Sequence, residues 1–564
     1  MDYKPLPVGV DIFEKIITRG YYFIDKTWMI KELIDKKADV NLVTRPRRFG
    51  KTLNLSMLQY FFEDARDSGG VRQDNSYLFE GLKIMEAGAS YLAHMGQYPV
   101  INLTLKSAKQ PSWEISFAML RREIAREYHR HAFVLKDGRL TAQERQRFIR
   151  MRDEETSYAE CADAVRFLSD VLMKIYGRKT IILIDEYDVP LEHAFMEGFY
   201  QETISFIRSL FESAFKTSAS LEFAVITGCL RISKESIFTG MNNLNMISIL
   251  NKNYDEYFGF TEEEVRKICR DYKLEQKYEL IKTWYNGYIF GDVNIYNPWS
   301  LILFINDLKT NEDEFPSPYW ANTSSNSIVR KLIEMADENT KLEIEALIEG
   351  KHIEKPIHED ITYDEIYKTM DNLWNFMFFT GYFRKVRDWM DSEDNYFAEL
   401  AIPNREVKYI FRRKILGWFE EKVKQKDRSR LFQALLDTDP EALQEEIADL
   451  LMETISFNDA YESFYHGFLT GIFLGMKGYQ VRSNREGGRG RSDLVIRPVT
   501  RRKPAFVLEF KVAGKFAELE KKAKEALDQI EQRQYVRELW EDGYQTVYRY
   551  GIAFFGKDCL VKLR

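Results

Sequence analysis

The sequence predicts an α/β chain of several domains: an amino-terminal doubly wound parallel sheet with a helical lid, a mainly helical middle, and a smaller carboxyl-terminal α/β unit. Three observations lead there. Short apolar runs alternate with helical stretches through about the first 255 residues, as expected for parallel strands buried on both faces. Charge-rich helical patterning replaces that alternation in the middle. Beyond residue 451, two strands and a helix follow a strongly basic segment. At 564 residues the chain exceeds what one core organises, and 45% hydrophobic content leaves no long stretch to disorder.

The expected strands of the first domain (1–255) are Val40–Thr44, Pro99–Leu105, Thr180–Asp185, Leu221–Thr227 and Met246–Leu250. Residues 256–310 turn helical with short breaks at Trp284–Tyr288 and Tyr296–Ser300, which suits a small lid. Residues 311–450 read as a helical linker domain, with Pro-bearing turns at Phe315–Pro318 and Ile402–Asn404. The last unit, 451–564, opens with an aromatic helix and closes with a helix whose apolar positions are Leu519, Ala523, Ala526 and Ile530.

The net charge of −7 does not point to nucleic acid. Locally, eleven Lys or Arg stand against three acids between Lys477 and Lys515, a patch able to attract a phosphate backbone by counterion release. Its plainer reading is a solvated loop. The four cysteines are far apart, with neither zinc-site nor disulfide spacing. No apolar signal segment or membrane-spanning run is seen, so the expectation is a cytoplasmic protein with no membrane partner.

Two sets of acids carry the chemistry. The run Arg45-Pro-Arg-Arg-Phe-Gly-Lys-Thr52 follows a strand and opens a helix. This is the geometry for cradling a triphosphate: backbone amides point at the anion, Lys51 neutralises the outer phosphates, and the Thr52 hydroxyl binds magnesium. Gly50 lets the backbone approach, although Arg45 stands where such loops usually open with Gly. The strand Ile181–Ile184 then delivers Asp185 to hold the magnesium and Glu186 to polarise the attacking water. The strand at 99–105 lies between loop and acids in sequence, the insertion shown by the additional-strand, catalytic-glutamate class of P-loop ATPases. Thr227 and Arg231 are candidates to sense the terminal phosphate, against plainer readings as a strand-end polar residue and a surface cation.

The string Thr44–Thr52, with Tyr22-Phe-Ile-Asp-Lys-Thr27, Ile237-Phe-Thr-Gly-Met-Asn-Asn-Leu244 and Trp284-Tyr-Asn-Gly-Tyr288, resembles the AAA-ATPase-like family of uncharacterised bacterial proteins over about residues 5–300. In that family Arg-Pro-Arg-Arg-Phe-Gly-Lys is the usual loop. The resemblance implies ATP binding through Arg45, Arg48, Phe49, Gly50, Lys51 and Thr52, and hydrolysis for most members. Asp25 belongs to the family string and is expected to make a structural hydrogen bond at the nucleotide pocket.

Near the other end, Glu509 and Lys511 sit two apart in Ala505–Lys511 and so share a strand face, while Phe510 points away. Pairing that strand with Asp493–Ile496 brings Asp493 beside Glu509. Two carboxylates that close call for a divalent cation, Mg2+ or Mn2+, and the absence of His or Cys clustering argues against zinc. Lys511 is placed to lower the nucleophile's pKa or to hold it. Glu462 and His466 lie one turn apart on the preceding helix, and Glu486–Asp493 supplies a basic hairpin. Gln529 and Tyr535 follow on the next helix.

Together these resemble the PD-(D/E)XK nuclease superfamily over about residues 452–564, a restriction-endonuclease-like fold. The resemblance puts the first-helix acid at Glu462, the metal pair at Asp493 and Glu509, the lysine at Lys511 and the later glutamine at Gln529; Ser492 replaces the superfamily's Pro. The expectation is an ATP-driven protein with a metal-dependent nuclease acting on DNA, gated by nucleotide and compatible with a homo-oligomer. The alternative is a signalling or assembly ATPase whose tail only binds nucleic acid or a protein partner.

Overall fold

The computed structural model describes residues 3–231, 237–238, 241–322, 335–359, 362–366, 368–413, 428–452, 462–474, 476–487, 490–532 and 536–564, without the side chains of 321, 322, 338, 341, 345, 364, 452, 462–464, 467 and 483–492. Two compact units divide the chain: Met1–Ser325 with Glu354–Lys408, and Asn326–Ile353 with Tyr409–Arg564.

The first unit is built on five parallel strands, β1 (Val40–Thr44), β2 (Val100–Thr104), β3 (Thr180–Asp185), β4 (Leu221–Gly228) and β5 (Leu244–Ile247), in the order β2-β3-β4-β1-β5. Every residue of β1 and β3 is buried, Asn41 of β1 included, which explains the apolar run Ile181–Ile184 and the mainly apolar β1. Helix α1 (Lys51–Phe62) leaves β1 and buries Leu55, Met57, Leu58, Phe61 and Phe62.

The strand order corrects one expectation. The strand lying in space between the loop strand β1 and the acid strand β3 is β4, paired with both. The 99–105 segment, β2, pairs only with β3 and sits at the sheet's edge. The insertion is therefore spatial and is made by the strand bearing Thr227. All five strands are comparably apolar, so sequence order carried no information on which strands are neighbours.

After β5 comes a three-stranded sheet of β6 (Phe260–Thr261), β7 (Tyr288–Phe290) and β8 (Val293–Tyr296), in the order β6-β8-β7. Its helices pack a core of Val265, Ile268, Ile281, Tyr285, Leu301 and Phe304 that includes Leu6 from the amino-terminal segment. The middle, read as mainly helical, also holds a sheet: β9 (Ile353–Pro356), β10 (Arg384–Met390) and β11 (Tyr396–Ala401). The β10–β11 turn is closed by the Asp391 carboxylate, which accepts from the amides of Glu393 (2.8 Å) and Asn395 (2.9 Å). That Asx turn between alternating residues is a hairpin signal, masked by a charge density that resembles a solvated helix.

The second unit ends in a mixed sheet: β12 (Tyr479–Gly487), β13 (Gly490–Pro498), β14 (Ala505–Val512), β15 (Val547–Phe555) and β16 (Asp558–Leu563), in that order. Only β14 and β15 run parallel. One face packs Leu494, Phe506, Leu508 and Phe510 against Leu469 and Phe473 of the preceding helix. The other packs Val495 and Val507 against Leu527 and Ile530 of the following one.

Candidate functional site

In the first unit the loop between β1 and α1 is held in a conformation few residues adopt. Arg48 and Gly50 both have positive φ, 73° and 82°. Alternation of this kind turns successive amides toward one side and makes an anion nest. Gly50 is the N-cap of α1 without any side-chain cap, so the first-turn amides remain free to face a phosphate. Lys51 is buried, and its Nζ donates to the carbonyls of Arg45 (2.8 Å) and Pro46 (2.9 Å), bracing the loop.

The acids meet this loop as their spacing requires. Thr52 Oγ1 donates to Asp185 Oδ2 at 2.6 Å, and Thr227 Oγ1 donates to Asp185 Oδ1. One carboxylate thus gathers the hydroxyls of the loop and of β4, an oxygen-only donor set that fits magnesium. Glu186, also at positive φ (53°), has its carboxyl pushed up by burial and by the neighbouring Asp185, with Lys106 and Lys51 opposing. A carboxylate raised in this way is suited to take a proton from water. Asp188 accepts the amides of Cys229 (2.7 Å) and Leu230 (3.0 Å), which pins the end of β4. Gly228 makes this possible, because a Cβ there would lie 2.5 Å from the Tyr187 ring and 2.9 Å from Asp188 Oδ1.

A cavity of about 380 Å3 opens over the loop, lined by Arg47 to Asn54 and by Lys106 and Glu186, with Pro7, Ile24, Trp299 and Ile302 on its apolar side. Arg48, Phe49, Gly50, Lys51 and Thr52 are therefore brought together with Glu186. Arg45 is not. It is fully buried, donates to the carbonyls of Thr44 (2.9 Å) and Ile247 (3.2 Å), and its guanidinium lies over the rings of Phe258 and Phe290. Burial lowers its pKa to about 9. Arg45 staples the loop to β5 and the lid, which corrects its reading as a nucleotide contact.

Arg231 pairs with Glu359 at 3.1 Å and does not line the cavity. Asp25 accepts from the Thr27 amide (2.8 Å) and hydroxyl (2.6 Å) and from the Lys83 amide (2.7 Å), a structural clasp. Arg47, paired with Glu192, and Trp299, 4.1 Å from the Arg48 guanidinium, line the cavity without having been singled out from the sequence.

In the second unit the register Leu494↔Leu508 continues to put Asp493 opposite Glu509. The two are cross-linked: the Asp493 amide donates to Glu509 Oε2 (3.2 Å), and the Phe510 amide donates to Asp493 Oδ2 (2.8 Å). Glu509 is 1% exposed, and its Oε1 accepts from Gln529 Nε2, with Lys511 Nζ 4.0 Å away. Helix α2 (Leu519–Gln532) delivers Gln529. It can lie this close because Gly551, the β15 partner of Glu509, has no side chain. A Cβ there would meet the Ala523 carbonyl at 2.3 Å and Leu527 at 2.8 Å. Gly551 was missed in the sequence, where a glycine inside an apolar strand gives no hint of the helix above it.

His466 reaches the site from the other face of the sheet. Its ring edges Phe510, and its Nε2 meets the Asp493 carbonyl at 2.8 Å. It holds backbone, not carboxylate. The side chain of Glu462, the Glu486–Arg491 hairpin side chains and Tyr535 lie outside the described residues. Among the described residues no group of three or more His, Cys, Asp or Glu could hold a metal. What is present is a pair of carboxylates with all-oxygen donors, which fits a hard divalent cation completed by water and substrate oxygens.

Residues 7–238 match a family described as predicted AAA-ATPase, and residues 460–563 match the PD-(D/E)XK nuclease superfamily. A protein of Azotobacter chroococcum mcd 1, described as an uncharacterized protein in the vnfD 5' region, is 26% identical over 340 residues, 59% of this chain and 57% of that protein. The chain thus spans a little over half the length of that relative. No described helix is long and apolar enough to cross a membrane.

Proposed function

From a chain that joins an AAA-ATPase-like domain to a PD-(D/E)XK nuclease superfamily domain, we propose that ATP is bound and hydrolysed at the first site and that nucleic-acid phosphodiester bonds, DNA foremost, are cut at the second. The cross-bonded pair Asp493 and Glu509 carries the nuclease reading.

At the first site the loop amides and Lys51 bind the phosphates, and Thr52 and Asp185 would hold magnesium. Glu186 takes the proton as water attacks the terminal phosphorus, and the β–γ bridging oxygen leaves with ADP. At the second site Asp493 and Glu509 would hold Mg2+ or Mn2+, which when bound would activate water and stabilise charge on the scissile phosphate. Gln529 fixes one oxygen of Glu509, so the remaining lone pairs keep a set direction. Lys511 holds the attacking water on the same strand face.

A carboxylate pair left alone here would be costly, since like charges on neighbouring strands repel. A cation between them, or a shared proton, relieves that cost, and only the first supports cleavage. Gating of the second site by the first rests on both domains sharing one chain.

The test is incubation with plasmid, single-stranded DNA and RNA plus Mg2+ or Mn2+, alongside Asp493→Ala and Glu509→Ala. Cleavage lost in both variants supports the reading. No cleavage under any condition leaves an ATPase whose tail only binds. Lys51→Ala reports on gating: equal cutting with and without ATP, in parent and variant, removes the link.

A further inference from the structure

Glu406 has a cost that its own surroundings do not repay. Its side chain is fully buried, and no described cation pairs with it. Oε1 accepts both from Ser300 Oγ (2.9 Å) and from the Trp320 amide (2.8 Å), while Oε2 has no hydrogen-bond partner among the described residues. An apolar residue of similar size would serve packing better. What the carboxyl does provide is a tie, because one oxygen joins Ser300, in the first turn of a lid helix, to the Trp320 amide twenty residues further along the chain.

Ser300 lies in the first turn of helix Pro298–Thr310, capped by Asn297 Oδ1 on the amides of Trp299 (3.0 Å) and Ser300 (3.3 Å). Pro298 and Trp299 stand between cap and anchor, and the Trp299 ring lies 4.1 Å from the Arg48 guanidinium and lines the cavity above the phosphate loop. Its indole N–H has no acceptor among the described residues. Arg48 is itself strained at φ 73°, so the stack holds a loop conformation that the backbone alone disfavours.

The second strand of the anchor comes from the segment before Glu406. Asn404 Nδ2 donates to the Asn286 carbonyl at 2.8 Å. A Cβ on Gly287 would lie 2.0 Å from the Pro403 carbonyl, so this approach exists only because residue 287 is glycine. Residues 403–406 are thus docked against the lid at two points, on Asn286–Gly287 and on Ser300.

We propose that Glu406 is a positioning residue for the nucleotide: by holding Ser300 it sets Trp299 against Arg48 and so fixes the wall of the cavity that faces the phosphates. This rests on the reading of that cavity as a nucleotide site, and deepens it by naming what keeps its lid wall in register. Burial pushes the Glu406 carboxyl up to about 7, so a neutral group of the same shape is tolerated there. Glutamine is the natural control.

The experiment has a ligand-free arm and a binding arm. In the free protein, hydrogen exchange at the Trp299–Leu301 amides should quicken in Glu406→Ala and Ser300→Ala and stay near the parental rate in Glu406→Gln. With a fluorescent ATP analogue and Mg2+, Glu406→Ala and Ser300→Ala should each weaken binding roughly tenfold, the scale of one lost hydrogen bond, and Glu406→Gln should restore it. The double variant Trp299→Ala/Glu406→Ala should bind no worse than Trp299→Ala, because residues acting on one path do not add.

If the parent and Lys51→Ala bind the analogue equally, the nucleotide reading fails, and the exchange arm still judges the anchor. Parental exchange and affinity in Glu406→Ala overturn the inference. So does an additive double variant, or a Gln variant as impaired as Ala, since either would mean that Glu406 acts through the fold at large. Should Glu406→Ala not fold, Ser300→Ala breaks the same bond without touching the buried carboxyl and decides alone.

Discussion

Replacing Glu406 by glutamine should make the protein more stable by about 3 kcal/mol at pH 8 and by less than about 1 kcal/mol at pH 5. The magnitude follows from burial. The carboxyl is raised from 4.5 to about 7, and each pKa unit is about 1.4 kcal/mol of preference between protonation states. The sign follows from proton binding. A carboxyl raised in the folded state binds its proton more tightly there, so its contribution is fully present below about pH 4.5 and is lost as pH rises through about 7. The glutamine variant has no proton to lose at this position and shows no such fall.

Tyr285 and Tyr288, the ionisable side chains that bear on Glu406, have their hydroxyls pushed well above the usual range by burial and stay neutral throughout. They leave the difference untouched. The assay is tryptophan-monitored urea unfolding of parent and variant at pH 5, 6, 7 and 8, with hydrogen exchange identifying the transition of the first unit. Taking the difference at each pH cancels every other titrating group. Parallel curves from pH 5 to pH 8 would refute the reasoning, as would a variant less stable than the parent at pH 8. Either would mean that the Glu406 carboxylate is better solvated than its zero exposure implies.

Two further outcomes come from glycines that allow a close approach. Gly551→Val forces a branched side chain into the Ala523 carbonyl and Leu527; we expect a loss of about 1–3 kcal/mol, seen as a lower melting temperature of the second unit, and cleavage falling with it as Gln529 leaves Glu509. Gly228→Val should disturb Asp188 and the end of β4, lowering ATP turnover more than nuclease activity measured without ATP. Separately, Gln529→Ala removes the Gln529 bond to Glu509 Oε1 and should raise the Mg2+ concentration needed for half-maximal cleavage, read from a metal titration, with little change in melting temperature.

How much of this was legible in the sequence depends on how local the cause is. The strands β1 and β3 announced themselves because burial on both faces leaves little room for polar positions in the run. Asp493 and Glu509 could be paired because a short turn between two strands fixes the register, and the structure keeps that register. Arg45 misled because a cation in a phosphate loop looks like a ligand. What buries it is Phe258 and Phe290, more than two hundred residues away. Separation along the chain, about half as great, also hides Glu406. Its neighbours along the chain carry no motif, and its bonds go to Ser300 and Trp320. Gly551 is silent for a related reason: the space it leaves matters only once α2 lies across β15. In each miss the deciding contact joins segments that sequence order leaves far apart, and no period or spacing along the chain records it. The acids and the loop give the chemistry, because metal and phosphate constrain residue type at short range. The groups that hold them still, Glu406 for the lid wall and Gly551 with Gln529 for the carboxylate pair, are set by packing, and it is there that substitutions should separate binding from fold.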